Sequence, residues 1–469
     1  MGTLLEHPDA QALLAETEVT AATVNGSARH LTAFIQRYLP CFYRKEHRAH
    51  ADTILRGKFT GLDRKTTEPI AIQARQKRRP LQLFVGAGGW QDAHVLEELR
   101  RHVREAIADP QGVLTLDPSG VAKKGTASCG VQRQWCGNLG KVDNCQVGVF
   151  LGYATPQGKA LVAARLFVPK ERANDPRHRR QTYIPDDVVY QEKWRIGLEF
   201  VRGPGRGLPH AWVVGDDELG RVSELRAHLR GDHERYALDV PCNTQVRDLS
   251  GPRPPARSGG RPRVPAWESV AAWANRQPKG RWRYFTIRAG EKGPLRVKAL
   301  QQQVQTRDED GGPGPRERLV VIRSIEPKPQ TWYVLSNAAR EIPLAAIVGA
   351  HGERHRIEEL FGEGKGEVGL DHYEVRSWTG WHHHMTLTLL ALWFLQLERL
   401  QLAKKKSGPD GAVDPADLDA PVTPAPAEWA GDRGDGQPSV TAHGGSADLP
   451  LASADRAVPA TASQARPRY

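Results

Sequence analysis

Within residues 345–376, AAIVGAHGERHRIEELFGEGKGEVGLDHYEVR, a helix turning about 100° per residue gathers His351, Arg354, Glu358 and Lys365 into an arc of about 60°. One face then carries a carboxylate flanked by cations. Beside it Ala346, Ala350, Ile357, Leu360 and Phe361 form an apolar stripe, so the helix can lie on a core and hold Glu358 at its edge. Taken alone, the pattern reads better as a solvated face with an Arg354/Glu358 pair four residues apart. Upstream residues change that reading. VLTLD ends on Asp117, and AWVVGDD runs into Asp216 and Asp217. Carboxylate oxygens suit hard Mg2+ or Mn2+, and two such ions can activate a nucleophile and stabilise the leaving oxygen of a phosphodiester. That chemistry needs no organic cofactor. Asp217 competes with Asp216 for the second position, and Glu359 competes with Glu358 for the third.

Stretches far apart in the chain must bring these residues together. VLTLD is followed by the turn PSGVAKKG, then by strand-like runs at 145–154 and 159–169 joined by a hairpin turn. A helical stretch at 188–201, a strand from Ala211 into Asp216, a helix at 221–229 and a strand at 235–240 complete the unit. Three strands, helix, strand, helix, strand is the order of an RNase H-like α/β domain. In that topology the first and fourth strands are neighbours, which places Asp117 beside Asp216. The third carboxylate comes from a later helix, and Glu358 is the candidate. Gly362 and Gly364 each cost about 1 kcal/mol inside a helix, which weakens the expectation that it reaches Lys365.

Around this unit the texture changes. Apolar residues from 28 to 110 recur at helical spacing, with Val95, Leu99, Val103 and Ile107 in strict i+4 register, and Lys/Arg patches lie between the helices. Residues 1–27 read as a flexible N-terminus and 28–110 as a helical, DNA-binding unit; 111–242 form the first part of the catalytic domain. Residues 243–342 read as a Pro/Gly/Arg-rich linker and a mostly β insertion, with a loop at 307–318. The catalytic domain resumes over 343–402, and 403–469 has the composition of a disordered tail.

The chain has 469 residues and a formal net charge of +12, which favours a polyanionic partner over an acidic metabolite. Cys129, Cys136 and Cys145 are spaced like neither a zinc knuckle nor a disulfide framework, and read as reduced, buried thiols. The N-terminus lacks the features of a signal peptide, and the longest apolar run, Met385 to Leu397, falls short of the roughly 20 residues of a membrane span. The expectation is a soluble, cytoplasmic protein without membrane contact. His382, His383 and His384 point in different directions on a helix and read as surface or core residues, not a metal cluster.

The segments LTLDPSGVAKKG, RQWCGNLGKVDNCQVGVFL, VVGDDELG and RHRIEELFGEGKGEVGLDHYEVRSWTGWHHHMTL resemble the DDE transposases of bacterial insertion sequences, in the RNase H-like and retroviral-integrase superfamily. The resemblance covers roughly residues 28–402. It matches Asp117 and Asp216 to the family's metal-binding aspartates and Glu358 to the Glu of a Y-x2-R-x3-E-x6-K signature, with Arg354 and Lys365 as the phosphate-holding Arg and Lys. His351 stands at the Tyr position as a DNA contact, and the stacking of a displaced base that a Tyr could provide stays open. Lys123, Lys124 and Lys141 are further candidate phosphate contacts. The implied cofactor is a pair of Mg2+ or Mn2+ ions. The implied partners are double-stranded DNA, as transposon ends and target, and a second copy of the chain in a homodimeric synaptic complex held on the nucleoid. The implied reaction is strand cleavage that frees a 3′-OH, followed by in-line strand transfer. An inactive DNA-binding descendant and a stand-alone metal-dependent nuclease are the alternatives.

Overall fold

Hydrophobic spacing sets the first helices of the computed structural model, which describes residues 21–250, 264–288 and 295–406. Residues 1–20, the linker at 251–263 and the tail beyond 406 lie outside the described residues. α1 (Ala21–Tyr38), α2 (Lys45–Lys58), α3 (Thr67–Gln73), α4 (Arg78–Ala87) and α5 (Asp92–Ile107) succeed one another. In α5 the i+4 row of Val95, Leu99, Val103 and Ile107 is buried, as its spacing requires.

The sheet unit follows as β1 (Val113–Ala122), β2 (Gln132–Cys136), β3 (Lys141–Thr155), β4 (Gly158–Phe167), α6 (Lys170–Ala173), α7 (Pro176–Thr182) and α8 (Lys193–Arg202). β5 (Trp212–Gly215), α9 (Asp217–Gly220), α10 (Ser223–Gly231) and β6 (Tyr236–Asp239) complete it. β3 pairs antiparallel with both β1 and β4, whereas β5 runs parallel to β1 and β6 parallel to β5. The order β4-β3-β1-β5-β6 is the RNase H-like one, with the Asp117 strand beside the strand that leads into Asp216. Parallel strands at the centre of a sheet are covered on both faces. β5 shows this in a single tetrapeptide, because Val213 packs into the core on one face while Trp212 and Val214 pack into the core on the other.

The segment expected as a separate insertion instead extends this sheet. β7 (Gln245–Asp248), β8 (Glu268–Ser269), α11 (Val270–Asn275), β9 (Arg283–Arg288), β10 (Leu295–Arg307), β11 (Pro313–Ser324) and β12 (Thr331–Ser336) are mostly strands, and β12 pairs with β6. Among the described residues the result is one 12-stranded sheet. The loop expected at 307–318 shrinks to the residues between β10 and β11, turned by Gly311 at φ 75°. Polar residues there hid the strands. Glu317 on β11 is buried only because Arg226, the Tyr236 hydroxyl and the Thr306 hydroxyl bond it from other elements.

α12 (Leu344–Glu353), α13 (His355–Val368) and α14 (Trp378–Lys406) return the chain to the sheet. One hydrophobic core runs from Phe34 and Leu99 through Val149 and Leu161 to Ile357, Leu390 and Phe394, so the N-terminal helices share a core with the sheet. The three histidines of α14 are buried in it. Among the described residues, no helix is long and apolar enough to cross a membrane.

Candidate active site

The segment read as one helix around Glu358 is two, divided at Arg354. Arg354 N–H donates to the His351 carbonyl and Ile357 N–H to the Arg354 carbonyl, each three residues back, so the turn tightens at this one residue. The glycines do not end α13. It continues through Gly362 and Gly364 past Lys365, and stops where Gly369 takes φ 68°. Gly364 lies close against Leu370, where a Cβ would come 3.2 Å from Leu370 Cδ2.

Asp117 lies midway along β1. Asp216 follows β5 directly and caps α9, its Oδ1 accepting from Leu219 N–H at 3.1 Å. Burial first and the neighbouring Asp216 charge second raise the Asp117 carboxyl well above the ordinary range. Burial also pushes Asp216 up to about 6, against the pull of the Leu219 N–H. Glu358 is lowered, first by its hydrogen bond with His355. Of the alternatives, Asp217 pairs with Arg221 at 3.4 Å while lining the same cavity as Asp216, Asp239 and Arg354, and Glu359 pairs with Lys159 at 2.8 Å.

Arg354 is the hub. Its Nη2 is 3.0 Å from Glu358 Oε1, its Nη1 4.0 Å from Asp117 Oδ2, and its Nε 3.2 Å from Asp239 Oδ2. Asp239, the last residue of β6, was missed from sequence. Its only signal is that RYALD runs into an acid as VLTLD and AWVVGD do, and strands that lie side by side and parallel bring such acids towards one edge of the sheet. Carboxylates on three neighbouring strands thus face an arginine from the helix segment above.

His351 is 7% exposed, with Nε2 2.9 Å from Asp239 Oδ1 but without hydrogen-bond geometry, and its ring meets Trp332 edge-on at 5.7 Å. It therefore stands inside the site, not on an open face. Lys365 reaches Asn138 Oδ1 at 3.2 Å. Lys123 is turned inward, donating to the Tyr373 carbonyl at 2.9 Å over the Tyr373 ring, and burial pushes its pKa down to about 8. Lys141 pairs with Asp143 at 2.9 Å, and Lys124 is exposed.

Among the described residues no three acidic, imidazole or thiol groups converge as a ready metal cage. The donor set nevertheless fits a hard cation. Burial and the neighbouring Asp216 oppose ionisation of Asp117, a cost that a bound cation would offset. Arg354 occupies the position between the carboxylates and supplies the compensating positive charge.

A family model described as DDE superfamily endonuclease matches residues 37–294. The chain belongs to this family. The match takes in Asp117 and Asp216 and ends before Glu358. A relative named as a probable transposase for insertion sequence element IS701, from Microchaete diplosiphon, is 32% identical over 123 residues. The matched part is 25% of this chain and 31% of that relative.

Proposed function

We propose that this DDE endonuclease is a transposase that binds the terminal inverted repeats of its own mobile element and carries out cleavage and strand transfer. The observation that carries the reading is the meeting of Asp117, Asp216 and Glu358 around Arg354, within a basic chain. Asp117, Asp216 and Glu358 are the proposed ligands of Mg2+ or Mn2+. Bound there, such ions supply activation of the attacking oxygen and charge stabilisation of the leaving one.

The chain's own residues do the rest. Asp117 and Asp216, whose ionisation burial opposes, would be held charged by a bound cation. Arg354, anchored by Asp239, presents a planar fork of donors suited to a phosphate. Lys365, one helical stretch beyond Glu358, offers a second cation at the cleft edge. His351, behind Arg354 and against Asp239, positions that anchor and does not stack on a base itself. Two ends cut in concert imply two copies of the chain.

Element-end duplex incubated with the protein and Mg2+ should yield nicks and strand-transfer products. Both should vanish in Glu358→Gln while duplex binding persists. Cleavage that survives the substitution removes Glu358 from the role. Cutting of any duplex without strand transfer leaves a nuclease, and binding by a wild type that never cuts leaves a DNA-binding descendant.

A further inference from the structure

The motif QRQWCGNLGKVDN supplies none of the acids of the cleft, yet it builds an exposed apolar feature on its rim. β2 and β3 form a hairpin in which Trp135 stands opposite Val142, closed by a short 3₁₀ turn at Gly137–Leu139 and by Gly140 at φ 61°. Alternation along β2 turns Gln134 and Cys136 inward and Arg133 and Trp135 outward. Trp135 is 55% exposed, Val142 52% and Leu139 41%. Single exposed apolar side chains are ordinary, but several grouped on one hairpin mark a surface suited to a partner.

The hairpin is a fixed part of the cleft's rim. It packs so closely on β1 that a Cβ at Gly120, three residues past Asp117, would come 3.0 Å from Cys136 Sγ. Asn138 at its tip holds Lys365 Nζ at 3.2 Å. The wedge therefore leaves the surface next to the carboxylates, with Arg133 beside Trp135, Lys141 at the turn and Lys365 at the base. Three side chains on a convex tip cannot supply the roughly 800 Å² per partner of a stable protein interface. β2 is also the last strand at its edge of the sheet, and a charged Arg133 on it discourages strand addition. An apolar point ringed by cations is instead suited to a duplex, where the cations meet phosphates and the apolar groups enter between base steps.

We infer that the β2–β3 hairpin is a DNA wedge, with Trp135 and Leu139 prying open a base step of the duplex that lies across the cleft. The inference rests on the reading of the cleft as the place where DNA is cut, but it concerns binding and distortion alone. A wedge unstacks bases at a cost, so it should favour a duplex that already contains a mismatched step.

The test uses the full chain without divalent ions, and end-labelled duplexes that are fully paired or carry one mismatched step. Wild type should bind the mismatched duplex about 10-fold more tightly and bring the duplex ends closer in energy transfer. Trp135→Ala and Leu139→Ser, both surface changes, should lose the preference and the bend, and Trp135→Phe should keep most of both. Variants that bend DNA and prefer the mismatch like wild type overturn the wedge, as does a wild type showing neither effect. A change in oligomeric state in Trp135→Ala also overturns it, since the patch would then cover a second copy. Because no cutting is involved, a wild type that bends DNA but never cleaves it sinks the transposase reading and spares the wedge.

Discussion

Two regions of this chain bury ionisable groups, and they satisfy them in opposite ways. Where α2, α4 and α14 meet, Lys58 Nζ donates to the Val368 carbonyl at 3.0 Å and to Thr388 Oγ1 at 2.8 Å. His383 lies between the Val85 and Trp90 carbonyls and stacks on the Trp90 ring at 3.7 Å. Burial lowers both, Lys58 to about 7 and His383 to about 4, against the pull of the carbonyls around them, which favour the protonated forms. At the carboxyl ends of β5 and β6 and along β1, by contrast, carboxylates face one another and share one arginine. A buried group satisfied by carbonyls is complete as it stands. A set satisfied only by mutual compromise around Arg354 is suited to receiving a further cation.

The sharpest way to break this contrast is Asp117→Asn. Replacing a carboxyl whose ionisation burial and its neighbour oppose should leave the melting temperature equal or higher, while strand cleavage falls by about 10²–10³-fold or more. Parallel melting and cleavage assays decide it, and a large loss of stability would mean that Asp117 is structural after all. Asp239→Asn should do the reverse. It strips Arg354 of its most buried acidic partner and should cost about 3 kcal/mol in denaturant unfolding, with part regained in Asp239→Asn/Arg354→Met.

The last expected effect lies where α2, α4 and α14 meet and is a slope, modest at each pH unit. Lys58 has a folded pKa of about 7 against an ordinary 10.5, so between those values the unfolded chain binds the extra proton. Stability should therefore rise with pH across that window, by up to about 1.4 kcal/mol per unit, and flatten below it where both states are protonated. Unfolding curves at successive pH values should show Lys58→Met losing this part of the slope. An unchanged slope would show that Lys58 stays charged in the fold.

Much of this was legible in the linear chain because it is local. The i+4 row of α5, the hairpin turn between β3 and β4, the unbroken apolar run of β5 and the helix start before Glu358 each depend on neighbours a few residues away. Element order then sufficed to place β1 beside β5, since few unknotted arrangements of those elements exist. Strands β2 and β10 escaped notice because their residues are polar, and what makes them strands is a partner elsewhere in the chain.

The sequence by itself determined the elements, the basic balance and the residue types able to grip a cation or a phosphate. Only the tertiary structure decided that Arg354 rather than Glu358 sits at the centre and that Asp239 joins the acids. It also decided that His351 and Lys123 turn inward and that the insertion is more of the same sheet. The reason is physical: helix and strand periodicity act over a few residues, whereas the environment of a charge is set by whatever packs beside it, however distant along the chain.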